Sequence, residues 1–86
     1  MKDVSSEKQR QAVMTLVAHA LREARASRGL SMSAVAERAG LSQQMVSYVE
    51  RQMRMPTLDT LLRMAQALGI DLAELLARAQ KKAKAN

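Results

Sequence analysis

The sequence predicts an all-α domain of five helices, and three observations carry that expectation. Apolar residues recur at spacings of three and four along most of the chain, the period of a helix with one buried face. The apolar share is 48% although Tyr48 is the only aromatic residue, so the core must be built from Leu, Val, Ala and Met, a composition that favours helices. Gly29, Gly40 and Gly69 each close an apolar-periodic segment, and a small hydroxyl or acidic residue opens the next one. With 86 residues the chain is one small domain, for which marginal stability or a partner chain is expected.

The first helix is capped by Ser5 or Ser6 after a ragged start from Met1 to Val4, and Glu7 suits the helix dipole. Val13, Leu16, Val17, Ala20, Leu21 and Ala24 form its apolar face, and Gly29 ends it. Ser31 caps a second helix with Met32 in its first turn, and Gly40 stops it. Ser42 caps a third that runs to about Arg51, followed by a polar and basic loop, Gln52 to Met55. Pro56 prevents continuation, and Thr57 caps a fourth helix with Leu58, Leu61, Leu62, Ala65 and Leu68 on its apolar face. Gly69 ends it. Asp71 with Glu74 three residues later is a variant capping box for a fifth helix, Leu72, Leu75, Leu76 and Ala79. Past Arg78 the chain becomes KKAKAN, which is expected to fray. The organisation is therefore an extension of helix one (1–14), a core domain (15–79) and a basic tail (80–86).

The stretch from Ser33 to Arg51 organises the rest. Ala34, Val35, Ala36 and Ala39 are small enough for a second helix to cross closely, Gly40 supplies the turn, and Leu41 is a buried plug. Val46 and Val49 then turn inward, while Gln43 and Gln44 stand just after the cap. Glutamine there has a bland reading, as an exposed helix former. It also carries an amide that can bond a base edge with both ends. The formal net charge of +6 suits a polyanion, and the chain stays positive without Lys81, Lys82 and Lys84. There is no cysteine and one histidine, His19, which reads as a surface residue, so no metal site or cofactor is expected. No Gly-rich phosphate loop appears, nor a nucleophile with a matching base, which argues against an enzyme. Without a long apolar run or signal-peptide core, a cytoplasmic protein is expected.

The run LREARASRGLSMSAVAERAGLSQQMVSYVERQMRMPTLDTLLRMAQALGIDLAELL resembles the Cro/C1-type (XRE family) helix-turn-helix domain of lambdoid phage repressors. The likeness covers about Val17 to Leu76. It implies a compact five-helix DNA-binding domain in which the recognition helix, Gln43 to Arg51, enters the major groove. It further implies that Gln43, Gln44 and Tyr48 face bases. Ser42, Ser47 and Arg54 would meet the DNA backbone, and the grouping of Arg38 and Arg51 with Arg54 around the turn and loop makes them further candidates for phosphate contact. Two positions depart from the family pattern. Met32 stands where a phosphate-contacting glutamine is common, leaving only its main-chain N–H, and Arg51 or Gln52 stands where a glycine is common. Glu50 is expected to pair with a nearby arginine such as Arg54.

The expected function is sequence-specific binding of double-stranded DNA by a small transcriptional regulator, a repressor, acting as a homodimer on a palindromic operator. Leu72, Leu75 and Leu76, with the end of helix four, are the expected dimer surface, and whichever of Val4, Val13, Met14 and Val17 in the N-terminal stretch stay exposed are the other candidate. Two alternatives use the same fold: a protein-binding adaptor or coactivator, and an antitoxin. The seven methionines read either as gap-filling, as for Met64, or as an adaptable surface at Met53 and Met55.

Overall fold

The computed structural model describes residues 4–85. They form α1 (Val4–Ser27), α2 (Met32–Ala39), α3 (Gln43–Glu50), α4 (Leu58–Leu68) and α5 (Leu72–Ala85). No strand occurs among the described residues. Met1, Lys2 and Asp3 lie outside them, and with α1 already helical at Val4, neither Ser5 nor Ser6 is its N-cap.

Local chemistry sets the other helix starts. Ser31, Ser42 and Thr57 are each extended, and each side chain accepts from the N–H three residues on: Ala34 at 3.0 Å, Met45 at 3.0 Å and Thr60 at 3.1 Å. Asp71 does the same for Glu74 at 3.3 Å. The stops are also alike. At Gly40 the chain turns left-handed (φ 70°), and the Leu41 N–H bonds back to the Ala36 carbonyl at 2.9 Å. A side chain at Gly40 would also meet Arg63, whose Nη1 lies 3.0 Å from where a Cβ would stand and donates to the Ala39 carbonyl at 3.2 Å. Leu30 after α1 and Ile70 after α4 repeat the bond made by Leu41, and all three fold against the core.

The stop after α3 differs. Gln52 takes the left-handed conformation (φ 58°), so it, rather than Arg51, occupies the place of the family's glycine. The Met53 N–H still bonds back, to the Tyr48 carbonyl at 2.9 Å, but the Met53 side chain is exposed. A hydrogen bond from Thr15 Oγ1 to Gln52 Oε1, at 2.8 Å, ties this strained position to α1.

Val17, Leu21, Val35, Val46 and Met64 are fully buried, one or two from each of the first four helices, and Leu61, Ala65, Leu68, Leu72 and Ala79 close around them. Each large side chain so buried contributes about 1.5–3 kcal/mol. Three sequence expectations need correction here. Leu58 and Leu62 are 62% and 40% exposed, because Leu61, Met64, Ala65 and Leu68 already fill the inward stripe of α4. Leu72 and Val17 are buried in the protomer's own core and are unavailable to a partner. Val13, Met14, Leu75 and Leu76 are only half-buried, and the side chain of Val4 lies outside the description. The basic tail does not fray: α5 continues to Ala85 because Ala79 and Ala83, one turn apart, both bury against neighbours. The N-terminal half of α1 and the end of α5 thus run alongside each other, giving a molecule of 42 × 21 × 18 Å.

Candidate nucleic-acid interface

The third helix has two chemically distinct faces. Inward, Val46 and Val49 enter the core, and Glu50 goes in beside them. A carboxylate there needs a buried cation, and Arg25 of α1 supplies it. Arg25 Nε donates to Glu50 Oε2 at 2.6 Å, and Nη2 donates to Oε1 at 2.9 Å. Arg25 Nη1 also donates to the Leu30 carbonyl at 2.9 Å, so one guanidinium fastens the α1–α2 turn and α3 together. Hydrogen bonding to Glu50 raises the Arg25 pKa above its ordinary value, overcoming the opposing effect of burial. The expected Glu50–Arg54 pair is therefore not made, because Glu50 points to the core and Arg54 lies outside it.

Outward, Gln43 and Gln44 are exposed and Tyr48 is half-exposed. Gln44 Nε2 donates to the Tyr48 hydroxyl at 2.8 Å, one helical turn along. Gln43 Oε1 accepts from Ser33 Oγ of α2 at 2.8 Å. The Arg54 guanidinium lies over the Tyr48 ring, 4.8 Å from its centre. Arg51 is exposed at the end of the helix. Ser42 is the N-cap, and Ser47 is half-buried. With Glu50 neutralised inside, the outer face of α3 and its following loop carry Arg51 and Arg54 and no carboxylate. Such a face attracts phosphates and presents amides between them.

Two of the predicted backbone-contacting residues lie on α2 rather than on α3 or its following loop. Arg38 lines a depression with Ala39, Arg63, Gln66 and Ala67, on the α4 side of α2. The Met32 side chain turns against the core. Sequence reasoning missed Ser33, Arg25 and Thr15. The signal for Arg25 was present, since an acid in register with Val46 and Val49 has to be buried and paired. Ser33 and Thr15 gave none, because the partner of Ser33 stands on another helix and that of Thr15 in the loop after α3.

A cleft of about 590 Å³ opens between α1 and the end of α5, lined in part by Glu7, Arg10, Val13, Met14, Met55 and Lys84, away from Gln43 and Gln44. Among the described residues no group of three metal-binding side chains occurs, and no helix is long and apolar enough to cross a membrane.

Residues 21–75 match the helix-turn-helix family HTH_3. The chain is 46% identical over 52 residues to an HTH-type transcriptional regulator, y4dJ, of Sinorhizobium fredii, an alignment covering 60% of this chain and 68% of that protein. Its fold is similar to the restriction-modification controller protein C.AhdI of Aeromonas hydrophila, at 37% identity with a TM-score of 0.67, over 72% of this chain and 94% of that one. It is similar also to the clp gene regulator ClgR of Corynebacterium glutamicum, at 27% identity with a TM-score of 0.70, over 81% and 91% of the two chains.

Proposed function

The chain belongs to the Cro/C1-type (XRE) helix-turn-helix family of sequence-specific DNA-binding regulators, and from that premise we propose how it engages its operator. The α3 helix enters the major groove with Gln43, Gln44 and Tyr48 against base edges. Arg51 and Arg54 flank them on the phosphates, joined by Ser42, Ser47 and the main-chain N–H of Met32 at the start of α2. Arg38, exposed on α2, is a further candidate for a phosphate contact. The observation that carries the reading is the division of α3 into a clamped apolar face and an acid-free amide face.

One such helix contacts too few base pairs for useful specificity, so the protein acts as a homodimer on a palindrome with half-sites about 34 Å apart. A short regulator bound there acts as a repressor by occupying the site. Leu75 and Leu76 remain candidates for the dimer surface, whereas Leu72 is committed to the protomer core. Exposed Met53, Met55, Leu58 and Leu62 favour a second reading, in which the same fold docks a protein partner as an adaptor or an antitoxin.

Selection from a randomised duplex pool at near-physiological salt separates the two. A palindromic consensus that is lost in the Gln43→Ala, Gln44→Ala double variant is the expected result. Absence of enrichment, with binding that vanishes as salt rises, would leave only a charge effect and move the protein-docking reading to first place.

A further inference from the structure

We propose that Arg10 and Lys84 form a second phosphate-binding surface, which grips the backbone of the duplex beyond the base pairs that α3 reads. The proposal rests on α3 being the helix that enters the groove. Both residues are exposed, and both lie outside residues 21–75, the stretch that matches the family.

The first half of α1 and the end of α5 form a two-helix arm. Ala79 and Ala83 are buried in it, so the cations around them are held at fixed places on a helix rather than on a loose tail. Residues 4–14 and 80–85 carry Lys8, Arg10, Lys81, Lys82 and Lys84 against one acid, Glu7, and so hold most of the chain's formal net charge of +6. Among the described residues the ion pairs are Arg25 with Glu50, Arg63 with Asp59 and Arg78 with Glu74, and none of them neutralises the arm. The helix dipole accounts for lysines in the last turn of α5. It gives no reason for a basic first half of α1 to be packed beside them. Like charges brought together repel, and a polyanion is the partner that relieves the repulsion.

Position selects the duplex already held by α3. Arg10 and Lys84 line the same cleft as Met55. Met55 follows Arg54, and a second hollow, lined in part by Gln11, Met14, Arg54 and Met55, joins the arm to that loop. Cations therefore continue from Arg54 past Met55 to Arg10 and Lys84. The molecule is 42 Å long, enough to follow about twelve base pairs, whereas the eight residues of α3 span about 12 Å, or about four. Lys8 and Lys82 do not line the cleft. Lys82 and Lys84 stand about 100° to either side of buried Ala83, and Lys8 stands about 200° round α1 from Arg10.

Lys8 and Lys82 therefore provide a control of equal charge. Ethylation interference on the selected palindrome maps each phosphate that the protein touches. With the wild type, interference is expected at the phosphates held through α3 and its loop, and at a further group beyond them. Arg10→Gln with Lys84→Gln should abolish the further group alone. It should lower the slope of log K against log salt by about 0.9 for each phosphate released, with the consensus and the melting temperature unchanged. Lys8→Gln with Lys82→Gln removes the same charge and should leave the further group in place. If the wild type shows no further group, or the group survives Arg10→Gln with Lys84→Gln, the arm at most attracts DNA from a distance and the proposal is overturned while the reading of α3 stands. Equal weakening by both pairs of substitutions, with the interference pattern unaltered, overturns it in the same way. Failure of the wild type to select any consensus removes the reading of α3 itself, and this proposal with it.

Discussion

Consider Glu50→Ala. The carboxylate is 2% exposed and takes two charge-assisted hydrogen bonds from Arg25, at 2.6 and 2.9 Å. Truncation leaves a guanidinium that is itself only 16% exposed without its counter-charge. Removing one member of a buried pair costs about 3–5 kcal/mol. Arg25 keeps its bond to the Leu30 carbonyl and some access to water, which places the loss at the lower end, about 3 kcal/mol. A chain of this length holds roughly 4–13 kcal/mol in total, so the change removes a large share of the stability. At about 4–8 °C per kcal/mol, the melting midpoint should fall by about 12–24 °C. Urea unfolding followed by far-ultraviolet circular dichroism measures the loss directly. A paired Arg25→Leu, Glu50→Leu variant should recover most of it, since apolar replacement of both partners is often neutral. A loss below about 1 kcal/mol for Glu50→Ala, or a double variant no better than the single, would refute the argument that this pair clamps α3. The pH dependence follows in sign. Arg25 is raised when folded, so its contribution is complete below its unfolded pKa and fades only as pH climbs through the raised value. This guanidinium therefore imposes no slope on stability from neutral to moderately alkaline pH.

Gln52→Gly should stabilise the protein by about 0.5 kcal/mol, because relief of the left-handed backbone (about 1 kcal/mol) exceeds the exposed bond lost to Thr15. A lowered urea midpoint would count against that balance. Arg54→Ala should weaken DNA binding similarly across sequences and reduce the slope of log K against log salt by about 0.9, as should Arg51→Ala, in titrations at several salt concentrations. A change in base preference with an unchanged slope would show that these arginines read bases.

The elements were legible because their punctuation is local. Ser31, Ser42 and Thr57 begin helices, and Gly40 and Gly69 end them, through bonds reaching no further than a turn. The recognition helix was legible for the same reason, since Val46 and Val49 fix its inner face and leave Gln43 and Gln44 outside. What periodicity could not rank was competition for the inner stripe of α4. Leu58 and Leu62 fit the pattern as well as Leu61 does, and only the packing of Met64 and Ala65 decides against them. The tail was misjudged because Ala83 carries too little hydrophobicity to signal a buried contact, and its partner surface lies near the other end of the chain. Within the site, the outward glutamines could be found by register, whereas the Ser33, Arg25 and Thr15 bonds span ten to thirty-seven residues.

The stop after α3 shows how interface and fold constrain each other. After α1, α2 and α4, a glycine turns the chain and the next apolar residue drops into the core. After α3 the same backbone bond is made, but Gln52 carries the left-handed turn and Met53 stays outside. An inward Met53 would draw the loop towards the core, whereas this loop has to hold Arg54 against the outer face of Tyr48. The loop is therefore fastened by surface contacts, Thr15 on one side and the Tyr48 ring on the other. Surface contacts are individually weak, so this connection should open before the core does, and hydrogen exchange at the Met53 amide should outpace that at the corresponding Leu41 and Ile70 amides. Equal protection at all three would mean that the loop is held as firmly as the buried stops.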